Sequence, residues 1–129
     1  MVENVPPAQA WEALNSDPEA RLVDVRTEGE WNSVGIPDVS AAGKETVLLP
    51  WQIVPGGPLN PGFLDGLQAA GLTPENHLYF ICRSGARSAA AAEAARQAGF
   101  SAVYNVSSGF EGSRFSAGWK AKKLPWRQA

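Results

Sequence analysis

The sequence predicts an α/β domain: a five-stranded, mostly parallel sheet with helices on both faces. Two observations carry the prediction. Short apolar or β-branched runs recur five times along the chain, and a helical signal falls between successive runs. Parallel neighbours need crossover connections, and such connections bring helices onto both faces of the sheet.

The five runs lie at about Val2 to Val5, Arg21 to Val25, Thr46 to Leu49, His77 to Cys82 and Ala102 to Val106, each of strand length. The first helix is expected over Pro7 to Leu14, where proline opens the turn and Ala10, Trp11 and Leu14 share a face. After the second strand, Thr27 and Glu30 have capping-box spacing, and a short helix carrying Trp31 follows. In the third helix Asn60 caps, Pro61 starts, and Phe63, Leu64, Leu67 and Ala70 form the buried face, with Gly71 as the left-handed stop. Arg87 to Ala98 is alanine-rich, the best helix-forming composition, and ends at Gly99. The stretch Gly35 to Pro61, including Pro55 to Pro58, reads as a surface excursion within one domain spanning residues 1–129.

Composition narrows the function. At 129 residues, 44% hydrophobic and 19% charged, the chain can bury a core without a disulfide or metal. A net charge of −2 argues against nucleic acid as a partner, since phosphate neutralisation needs a strongly basic face. The basic residues Lys120, Lys122, Lys123 and Arg127 read as a solvated tail. No apolar run reaches the ~18 residues of a membrane span, and the opening lacks signal-peptide character, so a cytoplasmic location is expected. One cysteine and one histidine can form neither an intrachain disulfide nor a four-ligand structural zinc site; no metal or cofactor is called for.

That one cysteine, Cys82, ends an apolar strand and opens the turn Arg83, Ser84, Gly85, Ala86, Arg87, Ser88 into a helix. Ligands of open α/β sheets gather at this kind of strand end. Backbone N–H groups converge there and the helix adds partial positive charge, which favours an anion and a thiolate. Gly85 permits a backbone conformation with positive φ, and Arg83 and Arg87 add charge beside the sulfur. The competing reading of Cys82 is a small buried hydrophobe ending a core strand. Packing alone gives no reason for a glycine turn with two arginines at that point.

The run Cys82 to Ser88, CRSGARS, resembles the active-site loop of the rhodanese family, whose cysteine heads a six-residue loop opening a helix. Asp24, Val25 and Arg26 followed by Glu30 and Trp31 resemble the family's DVR segment. Asn105 to Gly109 and Trp119 to Pro125 resemble its strand-end and closing stretches, so the resemblance spans nearly the whole chain. It implies that Cys82 accepts a sulfane sulfur as a persulfide, and that backbone amides from Arg83 through Ser88 cradle it. It further implies that Arg83 and Arg87 orient a small anionic donor such as thiosulfate, and that the sulfur passes to a thiol or protein acceptor. This is ping-pong covalent catalysis. Two segments depart from the family pattern: Gly35 to Asp38 stands where many members have His-Ile-Pro-Gly, and the interval from Gly109 to Trp119 is longer than usual.

Other readings compete. A cysteine phosphatase resembles a C-x5-R pattern, but here four residues separate Cys82 from Arg87, too tight a ring for phosphate. A carrier that receives persulfide only from a partner is the other alternative. Asp24, Arg26 and Glu30 are expected to hold structure through capping and ion pairing. His77 lies one strand length from Cys82, which argues against a Cys–His dyad. Of Trp31, Trp51 and Trp119, one is expected near the site.

Overall fold

The computed structural model describes residues 2–54 and 56–129. In chain order the elements are β1 (Glu3–Val5), α1 (Pro7–Ser16), β2 (Ala20–Asp24), α2 (Glu28–Val34), β3 (Ile36–Pro37), a 3-10 turn (Ser40–Ala42) and β4 (Val47–Leu48). There follow α3 (Phe63–Ala69), β5 (His77–Ile81), α4 (Ala86–Gln97), β6 (Val103–Val106), β7 (Gly112–Ser113), β8 (Ser116–Ala117) and β9 (Trp126–Arg127). The five predicted strands form one sheet in the order β1-β6-β5-β2-β4, and every pairing in it is parallel.

Alternation along β5 explains the layers. Leu78, Phe80 and Cys82 face one side, where they pack with Val23, Val25, the α3 residues Phe63 and Leu67, and the α4 residues Ala91, Ala92 and Ala95. Tyr79 and Ile81 face the other, against Leu22, Val106, Phe110, Trp119 and the α1 residues Ala10 and Leu14. The alanines let α4 lie close on the sheet, and each fully buried Leu, Val or Phe contributes roughly 1.5–3 kcal/mol. Among the described residues no helix is long and apolar enough to cross a membrane.

Three expectations need correction. α3 begins at Phe63, not at Pro61, because the Asn60 carboxamide is occupied in the turn: it accepts from Gly62 N at 3.0 Å and donates to Pro50 O at 3.0 Å. Only Phe63 and Leu67 of its expected face are buried; Leu64 and Ala70 point to solvent. The basic end is solvated at Lys122, Lys123 and Arg127, but it is a docked segment and not a tail. Trp126 and Arg127 pair antiparallel with Ile36 and Pro37, and Lys120 Nζ donates to Val34 O at 3.0 Å beneath the Trp126 ring. Of the expected surface excursion, Pro55 lies outside the described residues.

Asp24 and Arg26, at the carboxyl end of β2, form a fully buried ion pair, Nη2 to Oδ2 at 2.7 Å. Arg26 also donates to Gly35 O at 2.8 Å and lies over the Phe110 ring. The pair therefore ties the strand end to the start of β3 and to the segment after β6. Removing one partner strands a buried charge, at a cost of about 3–5 kcal/mol. Asp24→Leu is accordingly expected to lower the urea midpoint by a corresponding amount; a shift within the error of the denaturation curve would show the pair to be dispensable.

Candidate functional site

β5 delivers Cys82 to the carboxyl edge of the sheet, and the chain then turns into α4 within three residues. Gly85 makes that turn possible. Its φ is +110°, and a Cβ there would overlap the Ser107 carbonyl oxygen. Cys82 is 1% exposed. Its Sγ accepts from Gly85 N at 3.1 Å and lies 3.2 Å from Ser88 Oγ, one turn into the helix.

The carbonyls of the loop are pinned on its outer side. Arg83 O accepts from Glu111 N at 3.0 Å and Gly112 N at 3.3 Å, while Gly85 O accepts from Asn105 Nδ2 at 3.1 Å and Ala89 N at 3.2 Å. A trans peptide points its C=O and the following N–H in opposite directions. Pinning these two carbonyls therefore turns the Ser84 and Ala86 amides the other way. Among the described residues neither amide donates to a protein acceptor, so the turn holds two unused donors on the side away from those carbonyls.

Asn105 and Asn4 are site residues that sequence reasoning missed. Asn105 Oδ1 takes the Ser88 hydroxyl at 2.6 Å, and Asn105 Nδ2 reaches Asn4 Oδ1 at 3.0 Å. The Ser88 hydroxyl has one proton, and Asn105 Oδ1 is its nearest acceptor, with Sγ at 3.2 Å and Gly85 O at 3.3 Å further off. The available signal was a polar residue inside the apolar run Val103–Val106, since a buried carboxamide must find partners.

The two arginines part company. Arg83 is well exposed, its side chain 65% accessible, with one long contact to Glu111 at 3.4 Å. Arg87 makes a bidentate pair with Glu30, Nη1–Oε1 at 2.7 Å and Nη2–Oε2 at 2.9 Å, and joins α4 to α2. Its charge is thus paired within the protein. Ser84 and Ala86 are exposed at the rim, while Gly85 and Ser88 are buried against Sγ.

Glu30 completes the capping box as expected, accepting from Thr27 N at 3.2 Å. His77 stands at the far end of β5, bonded to Asp17 at 2.5 Å. Trp119 is fully buried against Trp11, and Trp51 packs edge-on to Phe63, so both serve the core. Trp31 is buried with no partner for its indole N–H among the described residues.

Burial pushes the Glu30 carboxyl up, but hydrogen bonds from Arg87 and Thr27, with the Arg87 charge, outweigh it and hold its pKa at about 2, below the ordinary 4.5. A depressed acid contributes stability that is present above its unfolded value and lost as pH falls through the folded one. Wild type should lose this contribution between about pH 4.5 and 2. Glu30→Gln should be less stable at pH 7 and flatter across that window, read from denaturant midpoints at several pH values. Parallel curves for the two proteins would count against the pairing.

Comparison with known proteins places this arrangement. The solved structure of Rv0390 from M. tuberculosis is 43% identical, with a TM-score of 0.87, over 99% of this chain and 98% of that one. The Wolinella succinogenes polysulfide-sulfur transferase, solved as a homodimer, is 25% identical with a TM-score of 0.71, over 98% of this chain and 78% of that one. Rhodanese-like domain-containing protein 4 of Arabidopsis thaliana, a chloroplastic protein, is 34% identical over 118 residues, which are 91% of this chain and 24% of that protein. The family model described as the STR4 middle domain matches residues 3–129. With a match of that extent and a rhodanese-like α/β architecture, the chain belongs to the STR4 middle-domain family.

Proposed function

We propose that this protein is a sulfurtransferase that moves a sulfane sulfur from thiosulfate or a related anionic donor to a thiophilic acceptor through a persulfide on Cys82. The observation that carries the reading is the setting of Sγ, which accepts from the Gly85 amide of its own loop, lies 3.2 Å from the Ser88 hydroxyl, and belongs to a turn whose Ser84 and Ala86 amides serve no protein acceptor among the described residues. Such a cradle suits a sulfur anion. The relatives support the same chemistry, since one is described as a polysulfide-sulfur transferase and another as rhodanese-like.

In the first half-reaction the Cys82 thiolate attacks the outer sulfur of thiosulfate. A bond from Sγ to that sulfur forms, the donor S–S bond breaks, and sulfite leaves with its electron pair. The amides of Ser84, Gly85 and Ala86 hold the anionic outer sulfur, and Arg83 meets the incoming anion at the rim. Arg87 acts at one remove, fixing the first turn of α4 through Glu30. In the second half-reaction cyanide or a thiolate attacks the outer sulfur and releases the Cys82 thiolate, so no external oxidant or reductant is consumed.

Phosphate chemistry fits less well. The four-residue spacing makes a small ring, and the arginine that would clamp a phosphate is engaged by Glu30.

Incubation with thiosulfate should add about 32 Da to the intact protein, removable by cyanide with release of thiocyanate. Cys82→Ser should lose both the mass gain and the turnover. Failure of wild type to load from thiosulfate or polysulfide, with loading only from a partner desulfurase, would replace this reading with the carrier.

A further inference from the structure

We propose that the β7–β8 hairpin is a docking prong for a protein sulfur acceptor. Its partner presents a cysteine beside an apolar pocket rimmed by carboxylates. The proposal rests on the sulfur-transfer reading above and names the acceptor class.

The hairpin occupies the interval between Gly109 and Trp119 that is longer than the family pattern. Gly112 pairs with Ala117 and Ser113 with Ser116, which leaves Arg114 and Phe115 as the two-residue tip. Tight two-residue turns select Gly, Asn or Asp, so neither tip residue is there for the turn. Phe115 is 89% exposed, more than any other large hydrophobic among the described residues, and Arg114 lies over its ring. Apart from Arg114, its neighbour at the tip, no aromatic or cationic group among the described residues packs on this ring. Exposed aromatic and arginine side chains are the groups that most often anchor protein interfaces.

The prong is fixed relative to Cys82. Phe110 N donates to Cys82 O at 2.8 Å, and Glu111 N and Gly112 N donate to Arg83 O. A Cβ at Gly109 would overlap the Arg83 carbonyl, so the base of the prong lies directly on the backbone of the loop. Ser108 and Ser116 hydroxyls close the neck at 2.5 Å. A partner seated on Phe115 is thereby held at a set position relative to the sulfur.

Charge decides what kind of partner this is. From Gly112 to Ala129 the chain carries Arg114, Lys120, Lys122, Lys123 and Arg127 and no acidic residue, although the whole protein is net negative. Arg114 at the tip, and exposed Arg83 at the base in only a long contact with Glu111, favour an acidic partner. A second copy docking prong to prong would set Arg114 against Arg114, which is repulsive. Cys82 is nearly inaccessible and is the only cysteine, so its sulfur leaves only to a nucleophile brought in from outside. The acceptor's thiol loses its proton to solvent and its thiolate attacks the outer sulfur. A persulfide S–S bond forms on the partner, the bond to Sγ breaks, and the Cys82 thiolate is restored.

The probe is an acidic peptide with one leucine-flanked cysteine, compared with its lysine-substituted counterpart and with cyanide, using full-length protein preloaded from thiosulfate. Phe115→Ser and Arg114→Glu should leave transfer to cyanide unchanged while lowering kcat/KM for the acidic peptide about tenfold. The lysine peptide should be a poor acceptor for wild type, and added salt should erase its disadvantage. Equal loss toward cyanide and peptide would overturn the proposal by making the hairpin a support for the loop. No loss toward either, or a concentration-dependent dimer abolished by Phe115→Ser, would overturn it as well. Binding of the labelled acidic peptide in its serine form to the Cys82→Ser protein, followed by fluorescence anisotropy, reads docking without chemistry. Weakening of that binding by Phe115→Ser supports the prong even if thiosulfate proves the wrong donor, and equal binding by the variant counts against it.

Discussion

Everything at the carboxyl edge of this sheet follows from one constraint: between Cys82 and Ala86 the chain passes from strand to helix while keeping its carbonyls away from the sulfur. That turn cannot be stabilised by its own three residues. It is held from outside, by Glu111 and Gly112 on Arg83 O and by Asn105 on Gly85 O, and by the close approach of Gly85 to Ser107. β6 and the segment after it are therefore as much a part of the sulfur site as the loop. Their order beside β5 in the sheet is what places them there.

The charged residues around this edge are largely answered within the fold. Asp24 holds Arg26 in full burial, and Glu30 holds Arg87 while also capping α2. Burying ions is costly unless each finds a partner of good geometry, and bidentate arginine pairing supplies that geometry. Of the three arginines at this edge, Arg83 alone is well exposed. What meets Sγ itself is neutral: the Gly85 amide at 3.1 Å and the Ser88 hydroxyl at 3.2 Å.

Much of this was legible in the sequence because the signals are local. Alternating apolar runs and intervening helical patterns are enough for the parallel sheet, and the Thr27–Glu30 box and the Gly85 turn follow from residue type and spacing. What escaped depends on distant partners. The pairing of Arg87 is one such case, because nothing local reveals that Glu30, 57 residues away, lies opposite it. Asn105 reads as one polar residue in an apolar strand, and its link to Asn4 spans 101 residues. The β3–β9 and β7–β8 pairs are two residues long, too short to show a period, and so the docked carboxyl-terminal segment passed for a tail. Leu64 and Ala70 fit a helical stripe, but α3 is only two turns long and buries a narrower one.

The bond between Asn4 and Asn105 gives the sheet an uneven kind of robustness. β1 is an edge strand of three residues, bonded only to β6, and short edge strands open locally far more often than central ones. Each opening of β1 withdraws Asn4 from Asn105, and Asn105 is the group that holds both Gly85 O and the Ser88 hydroxyl. The edge strand and the loop around Cys82, far apart in the chain order, are thus joined across the sheet by a pair of carboxamides.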